Sequence, residues 1–338
     1  MKSSLFKLLV LFSCISLLLV GCKTEETIDP QRLQDAINNG VQYLKVMQNT
    51  SGSFDGYNFC TFNPTDRYKD DPIGYTIYIT WNLGEITSLS SLSSQIQPIV
   101  KKAGEYIYSR RVEVGGHYYW RWREVLPFDA DDTVLAHNIL GKLGYSIRAD
   151  LSIFTNFDQS FRTWDADLQE DIDLIVQLNV ISYLLSEKQT DVKKLQDIID
   201  LFIRDQLKSY YYKYPGPAFL YHLASFNNTA LFFINKLYSK KLNEIMRYKP
   251  KSAIYSSYLG YFLVKANLEP ARQNALIRYL LKTQLEDGSW AMEGIFLSYD
   301  SVQSHGCPAL TTSYVLKFLT AYYDQFVKKG VFPEYGDI

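Results

Sequence analysis

The feature that most constrains this chain is an alternation of two kinds of helical segment. Leu33, Ile37, Val41, Leu44 and Met47 recur on one helix face, and Val192, Leu195, Ile199 and Phe202 do the same in a window that is otherwise polar. Between such segments lie others that are apolar nearly all round, at 76–83, 134–143, 172–185, 255–263 and 310–323. Helices of that second kind must be buried on both sides. Taken in order, half-polar segments at 30–49, 96–112, 147–156 (short and poorly defined), 190–208, 228–247 and 269–284 alternate with apolar ones at 73–90, 131–145, 171–187, 216–226, 251–266 and 308–325. In a closed double ring each inner helix touches both the interior and an outer partner, so six such pairs are what that architecture requires. The sequence predicts one all-α domain over 30–338, an (α/α)6 toroid without strands. An open solenoid of helix pairs is the competing arrangement.

The first residues stand apart from this pattern. Lys2 and Lys7 precede an apolar run from Leu8 to Val20, and Leu19-Val20-Gly21-Cys22 closes it. The run is short for a membrane span, and its basic-then-apolar order is that of a processed leader. The closing tetrad resembles the bacterial lipobox. That resemblance implies cleavage after residue 21, an acylated Cys22, a short linker over 22–29 and a membrane partner reached through the lipid, which places the protein on the cell envelope. Lys23-Thr24-Glu25-Glu26 resembles the signal that sends some lipoproteins to the cell surface.

A finer repeat supports the ring. Tyr43-Leu44, Gln48 and Gly52-Ser53-Phe54 end the first half-polar segment, and Tyr279-Leu280, Gln284 and Gly288-Ser289-Trp290 end the last with identical spacing. A weaker copy runs through Ala103, Tyr106-Ile107, Arg111 and Gly116. The aromatic-Leu pair turns the helix inward, the Gln bonds free backbone groups at its end, and Gly-Ser turns the chain so that the aromatic plugs the gap. These segments resemble the glutamine-tryptophan motifs of squalene-hopene cyclases. The resemblance, to the terpenoid cyclase and protein prenyltransferase toroids, covers most of the mature chain and bears on fold more than on activity.

If the ring closes, the residues just before each inner helix share one mouth. That groups Asp70 and Asp71, then Asp129, Asp131 and Asp132, then Asp165, Asp167, Asp171 and Asp173, the segment 210–217, and Asp300, His305 and Cys307. Asp129-Ala130-Asp131-Asp132-Thr133 resembles the Asp-x-Asp-Asp-Thr motif of class II terpene cyclases, in which the middle Asp protonates an alkene or epoxide. The resemblance assigns that role to Asp131, with Asp129 and Asp132 beside it. Crowded carboxylates cannot all ionise, so one keeps its proton and becomes an acid. The alternative is that Asp131 or Asp132 is simply a helix N-cap.

A second expectation combines Asp131 with the group Asp165, Asp167, Asp171 and Asp173 as paired acid and base on a sugar or uronide, with Trp120, Trp122, Trp164 and tyrosines 210, 211, 212 and 214 as a stacking surface and His305 at its edge. The ligand is then an apolar molecule or a glycan, or the domain is a non-catalytic interaction module.

Several partners are not expected. The mature chain of about 317 residues is long enough for a sizeable core, and its charge is nearly balanced with no basic cluster, which argues against nucleic acid. No phosphate loop, nucleophile elbow or third ligand for His305 and Cys307 is apparent, so neither metal nor cofactor is expected, and a monomer is. Besides the anchor, the mature chain has only Cys60 and Cys307. Closure would make their segments neighbours at the mouth, so a disulfide between them is expected in an oxidising compartment.

Overall fold

The computed structural model describes residues 28–60, 63–70, 73–87, 92–156, 160–165, 173–204, 209, 211–226, 245, 252–297 and 303–330. The leader over 1–21, Cys22 and most of the linker lie outside these residues, and so does nearly all of the expected half-polar helix at 228–247.

Six apolar helices form the inner ring: α2 (Ile73–Thr87), α4 (Ala130–Lys142), α5 (Leu174–Ser186), α7 (Pro215–Phe226), α8 (Ala253–Ala266) and α10 (Pro308–Tyr322). Each packs on the next, and α10 packs back on α2, so the circle is closed and the open solenoid is excluded. Burial follows the sequence pattern: every residue from Ala309 to Tyr322 of α10 is buried. The outer helices α1 (Pro30–Met47), α3 (Ser93–Ser109), α6 (Val192–Ile203) and α9 (Pro270–Thr283) bury one face only, for example Leu195, Ile198, Ile199 and Phe202 of α6. The expected half-polar helix at 147–156 is reduced to one 3-10 turn, Leu151–Phe154, capped by Asp150. It is too short and irregular to propagate as an α-helix.

The glutamine repeat is a staple between neighbouring outer helices. Gln48 Nε2 donates to Gly52 O in its own turn (3.0 Å) and to Ile99 O in α3 (2.9 Å). Gln284 Nε2 does the same to Gly288 O (2.9 Å) and to Ala36 O in α1 (2.8 Å), which fastens the last outer helix to the first. The turn glycines Gly52 and Gly288 have φ of 97° and 87°, and a Cβ on either would lie within 2.5 Å of a backbone carbonyl of the neighbouring outer helix. Only glycine fits there. The plug residues Phe54 and Trp290 are fully buried, their backbone N–H groups donating to Thr76 and Thr312 at the starts of the inner helices.

Strands are present, contrary to the expectation. Before α2 the chain forms a hairpin, β1 (Gly56–Cys60) with β2 (Asn63–Asp70); before α4 a second, β3 (Val112–Val114) with β4 (His117–Tyr119); and before α10 come β5 (Phe296–Leu297) and β6 (Gln303–Gly306). β6 pairs antiparallel with β1 in a sheet of order β2-β1-β6-β5, joining the first and last excursions of the ring. This pairing exists only because closure brings those segments together, so no local periodicity announces it.

The same register removes the expected disulfide. Cys60 opposes Gln303, and Cys307 lies four residues further along, about 13 Å at strand rise. Bridgeable cysteines need Cα atoms within about 7 Å. Cys307 is a free, buried thiol whose Sγ accepts from Leu310 N and caps α10 (3.2 Å); burial pushes it up to about 12, so it is unreactive.

Candidate active site

Part of what the sequence grouped at the mouth meets around a cavity of about 710 Å3. Its wall comprises Tyr78 of α2, Trp122 and Leu126 from the loop before α4, Thr163 and Trp164 from the loop before α5, Tyr211 and Tyr212 from the loop before α7, and Phe296 and His305 from the strands before α10. These loops are laced together by backbone bonds: Ala130 N to Thr163 O (2.9 Å), Asp165 N to Phe128 O (3.1 Å) and Leu297 N to Tyr211 O (2.9 Å). The volume is that of a site for one drug-sized molecule.

The acidic motif lies against this cavity. Asp129 is the N-cap of α4, its side chain accepting from Asp132 N (3.0 Å). The capping role therefore falls on the first Asp of the motif and on neither Asp131 nor Asp132. Asp131 is buried, and both its oxygens are engaged. Oδ1 accepts from Asn179 Nδ2 (2.9 Å), and Oδ2 lies 3.1 Å from the phenol oxygens of both Tyr78 and Tyr212, which are 2.7 Å from each other.

Those three oxygens form a triangle with three hydrogen-bond edges. The two phenols alone supply two protons, which leaves one edge without a hydrogen when Asp131 is ionised. A proton on Oδ2 completes the cycle. Burial pushes the Asp131 carboxyl up to about 7, and the charge of Asp173 adds to this against the bonds from Asn179, Tyr78 and Tyr212. Burial, with Asp129 and Asp131 alongside, drives Asp132 well above the carboxylate range; neither of its buried oxygens has a hydrogen-bond partner among the described residues. Asp129 is raised likewise, by burial and then by Asp131. The cluster thus holds protons at neutral pH, because desolvation outweighs the N-terminal dipole of α4.

Behind Asp131, Asn179 Oδ1 lies 2.8 Å from His222 Nδ1. Burial, reinforced by Lys317, holds His222 neutral; with the Asn179 amide oxygen facing Nδ1 and its NH2 facing Asp131, Nδ1 is the ring nitrogen that carries the hydrogen. His222 stacks on Trp81 (5.1 Å, 20°), which with Tyr221 and Tyr261 surrounds the buried Lys317 ammonium at 4.1–4.8 Å. Nothing in the sequence singles out His222, Asn179, Tyr78 or Lys317 beyond the presence of one polar side chain inside an apolar helix.

The remaining expected residues divide. Trp122, Trp164, Tyr212 and His305 line the cavity, and Tyr211 with them. Burial, with Arg123 beside it, lowers His305 to about 4; its Nδ1 lies 3.3 Å from the Arg123 guanidinium. Trp120 does not line the cavity. It is fully buried as the plug of the third repeat, with Nε1 donating to Ile107 O (2.9 Å) and its backbone N–H donating to Thr133 Oγ1 (3.1 Å). Asp165 accepts from Phe128 N (2.8 Å), and Asp173 caps α5 and accepts from Ser209 (2.7 Å), so both serve the loops. Asp71, Asp167, Asp171, Tyr210 and Asp300 lie outside the described residues.

Gly74 gives Trp122 its place on the wall. A Cβ there would lie 2.0 Å from the indole ring. Gly74→Ala is expected to displace Trp122 and cost about 1–3 kcal/mol, measured as a lower denaturation midpoint with altered tryptophan fluorescence. An unchanged midpoint and spectrum would show the wall to be looser than this.

No family model and no curated protein matches the sequence. The fold is that of the α/α toroid proteins, and three solved structures share it. A variant of type II terpene cyclase MstE from Scytonema, in complex with geranylgeranyl dihydroxybenzoate, is 17% identical over 88% of this chain and 99% of its own, with a TM-score of 0.65. The ent-copalyl diphosphate synthase of Streptomyces platensis is 15% identical over 78% of this chain and 52% of its own, with a TM-score of 0.53. An unsaturated glucuronyl hydrolase specific for heparin is 12% identical over 89% of this chain and 99% of its own, also at 0.53.

Proposed function

We propose that the protein is an acid-type terpenoid cyclase: Asp131 protonates an alkene of a linear isoprenoid held in the aromatic cavity. The observation that carries this reading is a buried carboxyl bonded by Asn179, Tyr78 and Tyr212 against an otherwise mostly apolar wall. The Oδ2–H bond breaks as the alkene π pair forms a C–H bond, leaving a carbocation on the substrate and a carboxylate on Asp131. A second alkene of the same molecule attacks the cation and forms the ring bond. Loss of a proton to water then ends the sequence, and Asp131 is reprotonated from solvent. Rings of Tyr78, Trp122, Tyr212 and Phe296 line the cavity and stabilise positive charge.

The glycan reading draws support from the fold of the heparin-specific hydrolase. It is the weaker one, since Asp165 and Asp173, two of the four carboxylates it draws on as a partner acid or base, are committed to backbone amides. Attachment through an acylated Cys22 belongs to the same proposal, because it would hold the cavity beside a membrane, where apolar polyenes partition. Among the described residues no helix is long and apolar enough to cross a membrane.

Incubation with linear polyprenyl alcohols and acids in D2O tests the reaction. The expected product is a cyclic isomer carrying one new C–D bond. Turnover of an unsaturated uronide with no cyclic product would reject the proposal.

A further inference from the structure

Beside the cavity lies a second cleft, of about 360 Å3, lined by Arg110, Arg111, Arg121 and Arg123 together with Glu124, Ile73, Ser109 and Val112. Four guanidinium groups thus face a single carboxylate among the described residues. The sequence shows these arginines as ordinary members of a balanced composition. The strands β3 and β4 fold them onto one another, bringing the end of α3 beside the loop before α4.

Their geometry is that of held donors. Arg111 is clamped over the Tyr108 ring (3.7 Å to the centroid) with Nη1 donating to Tyr108 O (2.7 Å). Arg121 lies over Phe128 (4.6 Å) and donates to Glu124 O (2.9 Å). In both, Nε is shielded from solvent and has no acceptor among the described residues. Buried donors of this kind find an acceptor in nearly all proteins, and a guanidinium fork matches an oxyanion. Glu124 answers only part of this demand, by pairing with Arg110. Arg123 lines this cleft and the aromatic cavity alike, so the two spaces adjoin.

We infer that the arginine cleft binds the oxyanion head of the ligand whose apolar part occupies the cavity, so that the ligand is an amphiphile with a phosphate or carboxylate end. The inference rests on the proposed function only for the position of the apolar tail. It does not require that Asp131 be catalytic.

Calorimetry on the intact chain with decyl phosphate, 1-decanol and inorganic phosphate as probes tests it. Decyl phosphate is expected to bind about tenfold more tightly than 1-decanol, an advantage that falls with added salt. Arg110→Gln combined with Arg121→Gln is expected to remove that advantage while leaving 1-decanol binding unchanged, which shows that the cavity is intact. Glu124→Gln removes the competing carboxylate and is expected to tighten decyl phosphate binding severalfold, a gain that misfolding cannot produce. Equal affinity for decyl phosphate and 1-decanol, or a Glu124→Gln variant that binds no better, would overturn the inference. Inorganic phosphate binding as tightly as decyl phosphate would also overturn it, by showing a free-anion site unconnected with the tail. Asp131→Asn is expected to bind decyl phosphate like the wild type, so a failed cyclisation assay and a failed headgroup site are told apart.

Discussion

Asp131→Asn is expected to lower cyclisation by about 10^2- to 10^4-fold and, in the same molecule, to raise stability at alkaline pH. The two effects have one cause. Burial, the charge of Asp173 and the bonds around the carboxyl set its folded pKa at about 7 against a usual value of 3.8. A folded value above the unfolded one means that the stabilising contribution of the protonated group is complete below pH 3.8 and lost as pH rises through about 7. Above that range the wild type carries a buried carboxylate costing on the order of 4 kcal/mol. Asparagine carries no such charge. Its NH2 can donate to the phenols of Tyr78 and Tyr212 where the acid proton did, while its carbonyl still accepts from Asn179. Denaturant unfolding at about pH 5 and about pH 9 should show the variant gaining on the wild type at the higher pH. A difference independent of pH would mean that Asp131 holds no proton. Wild-type turnover should correspondingly be level below pH 7 and fall tenfold per pH unit above it.

The second large effect is expected at Asn179, which touches no solvent. Its NH2 favours the ionised form of Asp131, and its carbonyl takes the hydrogen of His222. Asn179→Leu removes the first and orphans the second. The Asp131 carboxyl then rises further, its proton is released less readily, and the plateau rate falls by about 10^2-fold. The alkaline limb of the pH profile moves upward at the same time. Stability drops by about 1–3 kcal/mol for the stranded His222 donor. Loss of rate with an unmoved limb would reduce Asn179 to a packing residue, and a limb moved to lower pH would contradict the assigned direction of its hydrogen bond.

The acid motif was legible because three carboxylates in four positions exceed what capping a helix uses, and Asp129 alone does the capping. The surroundings that make Asp131 an acid were not. Tyr78, Asn179 and Tyr212 come from α2, α5 and the loop before α7, 33 to 134 residues apart in the chain, and nothing in their local sequence distinguishes them from packing residues. Trp120 was misread for the converse reason. An aromatic ahead of the acidic helix looks like a wall residue, yet its backbone N–H donates to Thr133 as those of Phe54 and Trp290 donate to Thr76 and Thr312, which makes it the plug of its repeat at a position the strict spacing does not mark. The Cys60 to Cys307 expectation had the right neighbourhood and the wrong register, since strand pairing fixes position to the residue whereas ring closure fixes it only to the segment.

The amino-acid order alone determined that helices of two burial classes alternate, because a helix apolar all round has no stable place except between two layers; that they close into a ring instead of stacking open was decided by the packing of α10 on α2. Which protons are held in the mouth, which tautomer His222 adopts and which arginines meet in a cleft were decided only by the tertiary structure. Desolvation and hydrogen-bond geometry depend on what lies within a few ångströms, and in a closed ring those neighbours come from distant parts of the chain.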